Sequence, residues 1–226
     1  MTIITFNGKD YDTETTTELT CAFTQITEIP DTLVNLEYLF CPYTSLTQIP
    51  DTLVNLNQLD CSNTQITEIP NTLVNLIKLN CYNTQVTEIP NTLVNLEDLY
   101  FRNTKVSKLP DTLINLKGLD CSNTSLTQIP DTLVNLTNLN CNNTSLIQIP
   151  DTLTKLRYID CSNTQIREIP DTLVNLGMLL CDNTLITCIP QTIIGLSDGL
   201  LPFCGNLEMK KYLDFFLVMI YHYLKI

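Results

Sequence analysis

Residues 56–75 read LNQLDCSNTQITEIPNTLVN. Leu59 and Cys61 alternate with Gln58, Asp60 and Ser62, a period of two that describes a short strand with one buried face. Ile66, Ile69, Leu73 and Leu76 follow at spacings that point inward around a bend and a return. Pro70 blocks continuation of a strand and suits the start of a single helical or 3₁₀ turn. About six buried apolar side chains per unit are worth roughly 9–18 kcal/mol gross. Ordering the unit costs about 1 kcal/mol or more per residue in backbone entropy alone. One such unit cannot fold by itself, whereas stacked units share a core and can.

The stretch recurs every twenty residues. Cysteine returns at Cys21, Cys41, Cys61, Cys81, Cys121, Cys141, Cys161 and Cys181, with Phe101 in the one missing place. Threonine returns from Thr24 to Thr184, and proline from Pro30 to Pro190, without exception. The unit Leu-x-x-Leu-x-Cys-x-x-Thr-x-Ile-x-x-Ile-Pro-x-x-Leu-x-x resembles the leucine-rich repeat, whose pattern is Leu-x-x-Leu-x-Leu-x-x-Asn/Cys-x-Leu. Its length and Ile-Pro step are similar to the short repeats of secreted bacterial effectors. Its Cys- and Asn-rich wording is similar to repeats encoded by large DNA viruses.

The resemblance implies an α/β repeat: a leucine-rich-repeat solenoid with a concave parallel sheet and a mostly irregular or 3₁₀ convex side. Residues 16–195 are then nine repeats, and nine strands about 4.8 Å apart span roughly 40 Å. The sequence departs from the family at its ladder. Thr64 and its equivalents stand where the family usually has Asn, and Asn63 and its equivalents sit one place earlier. Phe23 and Tyr43 replace this Asn in the first two repeats, so the column is expected to be partly exposed and Thr to form the buried ladder.

Residues 1–15 precede the array and are expected to form a hairpin cap over the first edge strand, with Asn7-Gly8 as the turn signal. Residues 196–226 are expected to form a C-terminal cap with an apolar helix. That helix could cover the last repeat, make a weak dimer contact or touch a membrane surface. Its apolar run, Phe215 to Tyr221, is too short to span a bilayer.

The formal net charge is −12, which argues against nucleic-acid binding, since that needs basic surface. Much of the acid is repetitive, in Asp after the Ile-Pro step and Glu before it. It reads as a solvated rim or as a surface for a basic partner. The column cysteines replace an inward Leu and read as small buried hydrophobes rather than disulfides or metal ligands. No Cys-x-x-Cys pair occurs, and His222 is the only histidine. The opening residues lack a secretory signal pattern. With many thiols this points to an intracellular, cytoplasmic setting, including that of a host cell.

No Gly-rich phosphate loop, no nucleophile elbow and no histidine to act as a base occurs within the array. The expected function is non-catalytic and needs no cofactor: binding an unidentified protein through the concave face. Inward columns barely change between copies, whereas outward columns do, which is how repeat proteins present a binding surface. Two patches stand out. The central one is Lys78, Tyr82, Asp98, Tyr100 and Arg102; the N-terminal one is Phe23, Tyr38, Phe40 and Tyr43. Tyr and Arg are the types enriched in interface hot spots. The competing interpretation is drift in a recently duplicated array.

Overall fold

A computed structural model describes residues 3–194. The expected helix and cap after residue 195 lie outside the described residues. Two antiparallel strands, β1 (Ile3–Phe6) and β2 (Lys9–Asp12), open the chain. Asn7 and Gly8 join them, both at positive φ, as a two-residue turn of that composition requires. Nine three-residue strands follow: β3 (Glu18–Thr20), β4 (Tyr38–Phe40), β5 (Gln58–Asp60), β6 (Lys78–Asn80), β7 (Asp98–Tyr100), β8 (Gly118–Asp120), β9 (Asn138–Asn140), β10 (Tyr158–Asp160) and β11 (Met178–Leu180). They form one parallel sheet in chain order. Each strand residue is in register with the residue twenty places on.

The core is one continuous column set. Leu56, Leu59, Cys61, Ile66, Ile69 and Leu73 are all buried, and so are their equivalents in neighbouring turns. Phe101 is fully buried in the cysteine column. Val86 and Val106 stand on its own and the preceding repeat, where most other copies carry Ile or Leu. The smaller side chains coincide with the one place where the column holds a ring. On the return side, Leu73 N–H donates to the Pro70 carbonyl and Leu76 N–H to that of Leu73. These are single tight turns rather than a helix. Among the described residues the one helical turn is α1 (Gln191–Ile194).

The N-terminal hairpin forms, as a separate two-stranded sheet that does not pair with β3, and it packs Ile4, Phe6 and Tyr11 against the core. One expectation needs correction. The ladder is divided between residues differently. Thr64 is buried as expected, but its hydroxyl donates to the Cys61 carbonyl of its own turn at 2.6 Å. It closes a bend and bridges nothing. The bridging between turns falls to other columns. Asn75 Nδ2 donates to the Val54 carbonyl at 2.9 Å and Thr72 Oγ1 to that of Asp51 at 2.8 Å. The same pair of bonds recurs along the return side. In these tight turns many carbonyls have no helical partner, and the side chains of the next repeat satisfy them.

Cys21, Cys41, Cys61, Cys81, Cys121, Cys141 and Cys161 are free and buried. Cys181 is disulfide-bonded and stands apart from these seven, against the expectation that the whole column serves only as packing thiols. Burial pushes the Cys81 and Cys161 thiols up to about 12, because a thiolate there would lose its hydration.

Two outcomes follow from this packing. The buried thiols are more basic in the folded than in the unfolded chain. Their stabilisation is therefore complete below pH about 9 and is lost as pH rises toward 12, by about 1.4 kcal/mol per thiol per pH unit. Urea midpoints should be flat from about pH 6 to 8 and fall above about pH 9. The fall should be shallower in a Cys81→Ala, Cys161→Ala variant; an unchanged slope would contradict the assignment. Separately, Asn75→Ala should cost about 1–2 kcal/mol in urea unfolding, the worth of a carbonyl left without its donor.

Candidate functional site

The strand residues that face away from the core form rows across the sheet, one running from Tyr38 to Met178 and the other from Phe40 to Leu180. Their direction is set from below: Leu39, Leu59, Leu79 and the later equivalents are buried, so the residues on either side point outward. The column that holds Tyr82 and Arg102, expected on this face, does not belong to it throughout. Pro42, Ser62 and Ser122 are buried, and Arg102 is exposed. The strand ends at residue 60, and Ser62 turns its hydroxyl back to Asp60 Oδ1 at 2.6 Å. Ser62 N–H donates to the same oxygen at 3.0 Å, and Asp120 and Ser122 repeat the arrangement.

The structure joins residues that the sequence placed in two patches. The Phe23 and Tyr43 rings are stacked, 4.9 Å apart and 10° from parallel. The Tyr43 hydroxyl lies 3.5 Å from that of Tyr82, and the Arg102 guanidinium sits 4.6 Å above the Tyr82 ring. Phe23, Tyr43, Tyr82 and Arg102 thus make one ridge along the border of the sheet, past the strand ends. Lys78, Asp98 and Tyr100 belong to a different place, the open sheet face. Lys78 Nζ pairs with Asp98 Oδ2 at 3.1 Å. Tyr38 and Phe40 lie on β4, at the N-terminal end of that face, both exposed.

The ridge carries backbone strain. Phe23 and Tyr43 have φ of 58° and 55°, in the left-handed region. Seven later repeats put Asn there, from Asn63 to Asn183, and Asn tolerates that conformation better than a ring does. The Asn column is itself a ladder on the surface: Asn83 Nδ2 donates to Asn63 Oδ1 and Asn103 Nδ2 to Asn83 Oδ1, each at 2.7 Å. Tyr43 breaks it. Asn63 Nδ2 is inaccessible to solvent and has no hydrogen-bond partner, because the preceding rung is a ring and not an amide.

Sequence reasoning missed Gly118 and Tyr158. Gly118 is buried in a row whose neighbours carry side chains. The gap over it opens a groove of about 400 Å³ lined by Asp98, Tyr100, Asp120, Asn138, Asn140 and Tyr158. Burial and the Asp98 carboxylate raise the Tyr100 hydroxyl above its ordinary value; burial and Asp160 do the same for Tyr158. The glycine in an outward column was the available signal. No group of three or more His, Cys, Asp or Glu among the described residues could hold a metal ion. No helix among them is long and apolar enough to cross a membrane.

A family model described as Leucine Rich Repeat matches residues 55–76 and 155–176. Among solved structures, an internalin (inlF) from Listeria monocytogenes is similar, with a TM-score of 0.75 and 25% identity over 85% of this chain and 62% of that one. YopM, a leucine-rich effector protein from Yersinia pestis, gives a TM-score of 0.70 and 25% identity over 84% of this chain and 56% of that one. The functional domain of InlJ from Listeria monocytogenes, which includes a cysteine ladder, gives 0.66 and 23% over 82% and 48%. The chain therefore spans less than two thirds of each of these structures. No curated protein matches the sequence. Period, register and these matches together show a leucine-rich-repeat fold, similar in its repeats to that of these bacterial proteins.

Tyr43→Asn should stabilise the protein. It relieves a left-handed aromatic residue, worth about 1 kcal/mol, and offers Asn63 Nδ2 an acceptor, worth about 1 kcal/mol more. The lost stacking on Phe23 offsets about 0.5–1.5 kcal/mol. A net rise of about 1 kcal/mol in urea unfolding is expected; a fall would show that the ring is held without strain.

Proposed function

We propose that this chain is a non-catalytic scaffold that binds a protein partner through its concave sheet face and the aromatic ridge beside it. The observation that carries this reading is the retention of Phe23 and Tyr43 in a backbone conformation that favours Asn. Strain kept at exposed positions points to use of the side chains. An array that had merely duplicated would lose nothing by restoring Asn. The ridge ends on Arg102 over Tyr82, a preassembled cation–π pair of types common in hot spots. The leucine-rich-repeat fold is a common platform for protein–protein interaction, and its site has to be argued from residues.

Tyr82, Tyr100 and Arg102 are the residues assigned the largest share of partner contact, with Lys78, Asp98, Tyr38, Phe40 and Tyr43 around them. An effector-like role fits the likeness to YopM; the seven free buried thiols suit a reducing, intracellular compartment, and the disulfide at Cys181 does not.

The test is affinity capture from host-cell lysate with the wild type and a Tyr82→Ala, Tyr100→Ala, Arg102→Ala variant, after circular dichroism shows both folded. A partner held by the wild type and weakened at least tenfold with the variant is expected. Equal capture would remove these three residues from the binding surface.

A further inference from the structure

We propose that the groove over Gly118 is a pocket for one arginine side chain of the bound partner. This deepens the reading above, taking the partner to be a protein whose contacting segment is basic. The groove exists because a single side chain is missing from an outward row. Residues 98 and 138 flank Gly118 on the adjacent strands, about 10 Å apart at twice the strand spacing. Nothing in its φ calls for Gly at 118. A Cβ there would lie 2.5 Å from Asp98 Oδ1 and 3.6 Å from the Tyr100 hydroxyl, so a side chain would displace the Asp98 carboxylate from its place over the backbone.

The two oxygens of Asp98 are therefore used differently. Oδ2 faces Lys78 across the row at 3.1 Å, and Oδ1 leans over the bare backbone of Gly118. Asp120, next along β8, spends Oδ1 on Ser122 and has no ion-pair partner among the described residues. Lys117, which precedes β8 and also lines the groove, is already paired with Glu97 at 2.7 Å. The groove thus presents carboxylate oxygens with unused acceptor capacity, amide groups from Asn138 and Asn140, and two phenol rings.

Arginine fits this set better than lysine. Its planar guanidinium carries five donors in a fixed fork and stacks on aromatic faces, whereas an ammonium is a compact, strongly hydrated charge. Asp98 Oδ1 and Asp120 accept from the fork, and Tyr100 and Tyr158 shield it from water, which strengthens the charge-assisted bonds. The Lys78 pair holds the Asp98 carboxylate over the groove in advance, so little side-chain freedom is lost on binding.

The experiment titrates the full chain with three blocked peptides, acetyl-Gly-Arg-Gly-amide and its lysine and citrulline counterparts, followed by backbone amide NMR. Citrulline keeps the shape and most donors but removes the charge. Expected are saturable shifts centred on residues 98, 118–120 and 138–140 with the arginine peptide. They should be at least fivefold weaker with lysine and absent with citrulline. Asp120→Asn should weaken the arginine peptide at least fivefold, and so should Gly118→Val, which fills the groove. Amide spectra of both variants establish that they fold. Equal binding of citrulline, shifts elsewhere on the chain, or no saturable shifts would overturn the pocket. Loss of partner capture in the ridge variant together with a silent groove would leave the protein-binding reading standing without it.

Discussion

Everything in this molecule depends on the strict equivalence of residue n and residue n + 20. The parallel rungs, the buried columns and the side-chain ladders all require that each turn lay its backbone directly over the last. A slip of one residue in any strand would bring Gln58 and Asp60 to the core and turn Leu59 outward. It would also separate Thr72 and Asn75 from the carbonyls they satisfy. Packing and hydrogen bonding enforce one register jointly, and neither tolerates a turn of different length.

Because register is fixed so strongly, departures from the repeat carry information. They fall in two groups. Phe101 with Val86 and Val106 is a departure inside the core, where a large side chain accompanies smaller ones. The smaller neighbours offset part of the added volume, and nothing changes at the surface. Phe23, Tyr43, Tyr82, Arg102 and Gly118 are departures at the sheet face and its border. There the stack holds without them, and two of them strain it. Compensation marks the first group as structural. The second group has no such compensation, and the proposed function rests on it.

The period, the strand at Leu59 and Cys61, the buried face and the Asn7-Gly8 turn were legible in the sequence, because each is a local pattern with one physical solution. The ladder was harder to read. Thr and Asn occur in several columns, and each column offers the same donors. Which of them spans two turns depends on distances between turns, and these are not local. The two patches read as separate because Tyr43 and Tyr82 are 39 residues apart. They occupy different columns and lie on turns that are not adjacent. Their hydroxyls meet only because both rings extend along the stack across Asn63. Gly118 was visible as a letter but not as a space. A missing side chain becomes a groove only when the neighbours on both sides are known to stand up.

Short strands on a deep core also bear on the recognition proposed for this face. Each strand has three residues, and the middle one is locked in the interior. The outer two therefore have little choice of direction before any partner arrives. Side-chain pairs restrict them further, as with Lys78 and Asp98 or Arg102 and Tyr82. Ordering interface side chains is one of the larger costs of association, and here much of it is met during folding. The same rigidity limits adaptation. A face held this firmly changes shape little, so under the proposed function a single missing side chain, such as that of Gly118, would define what a partner must supply.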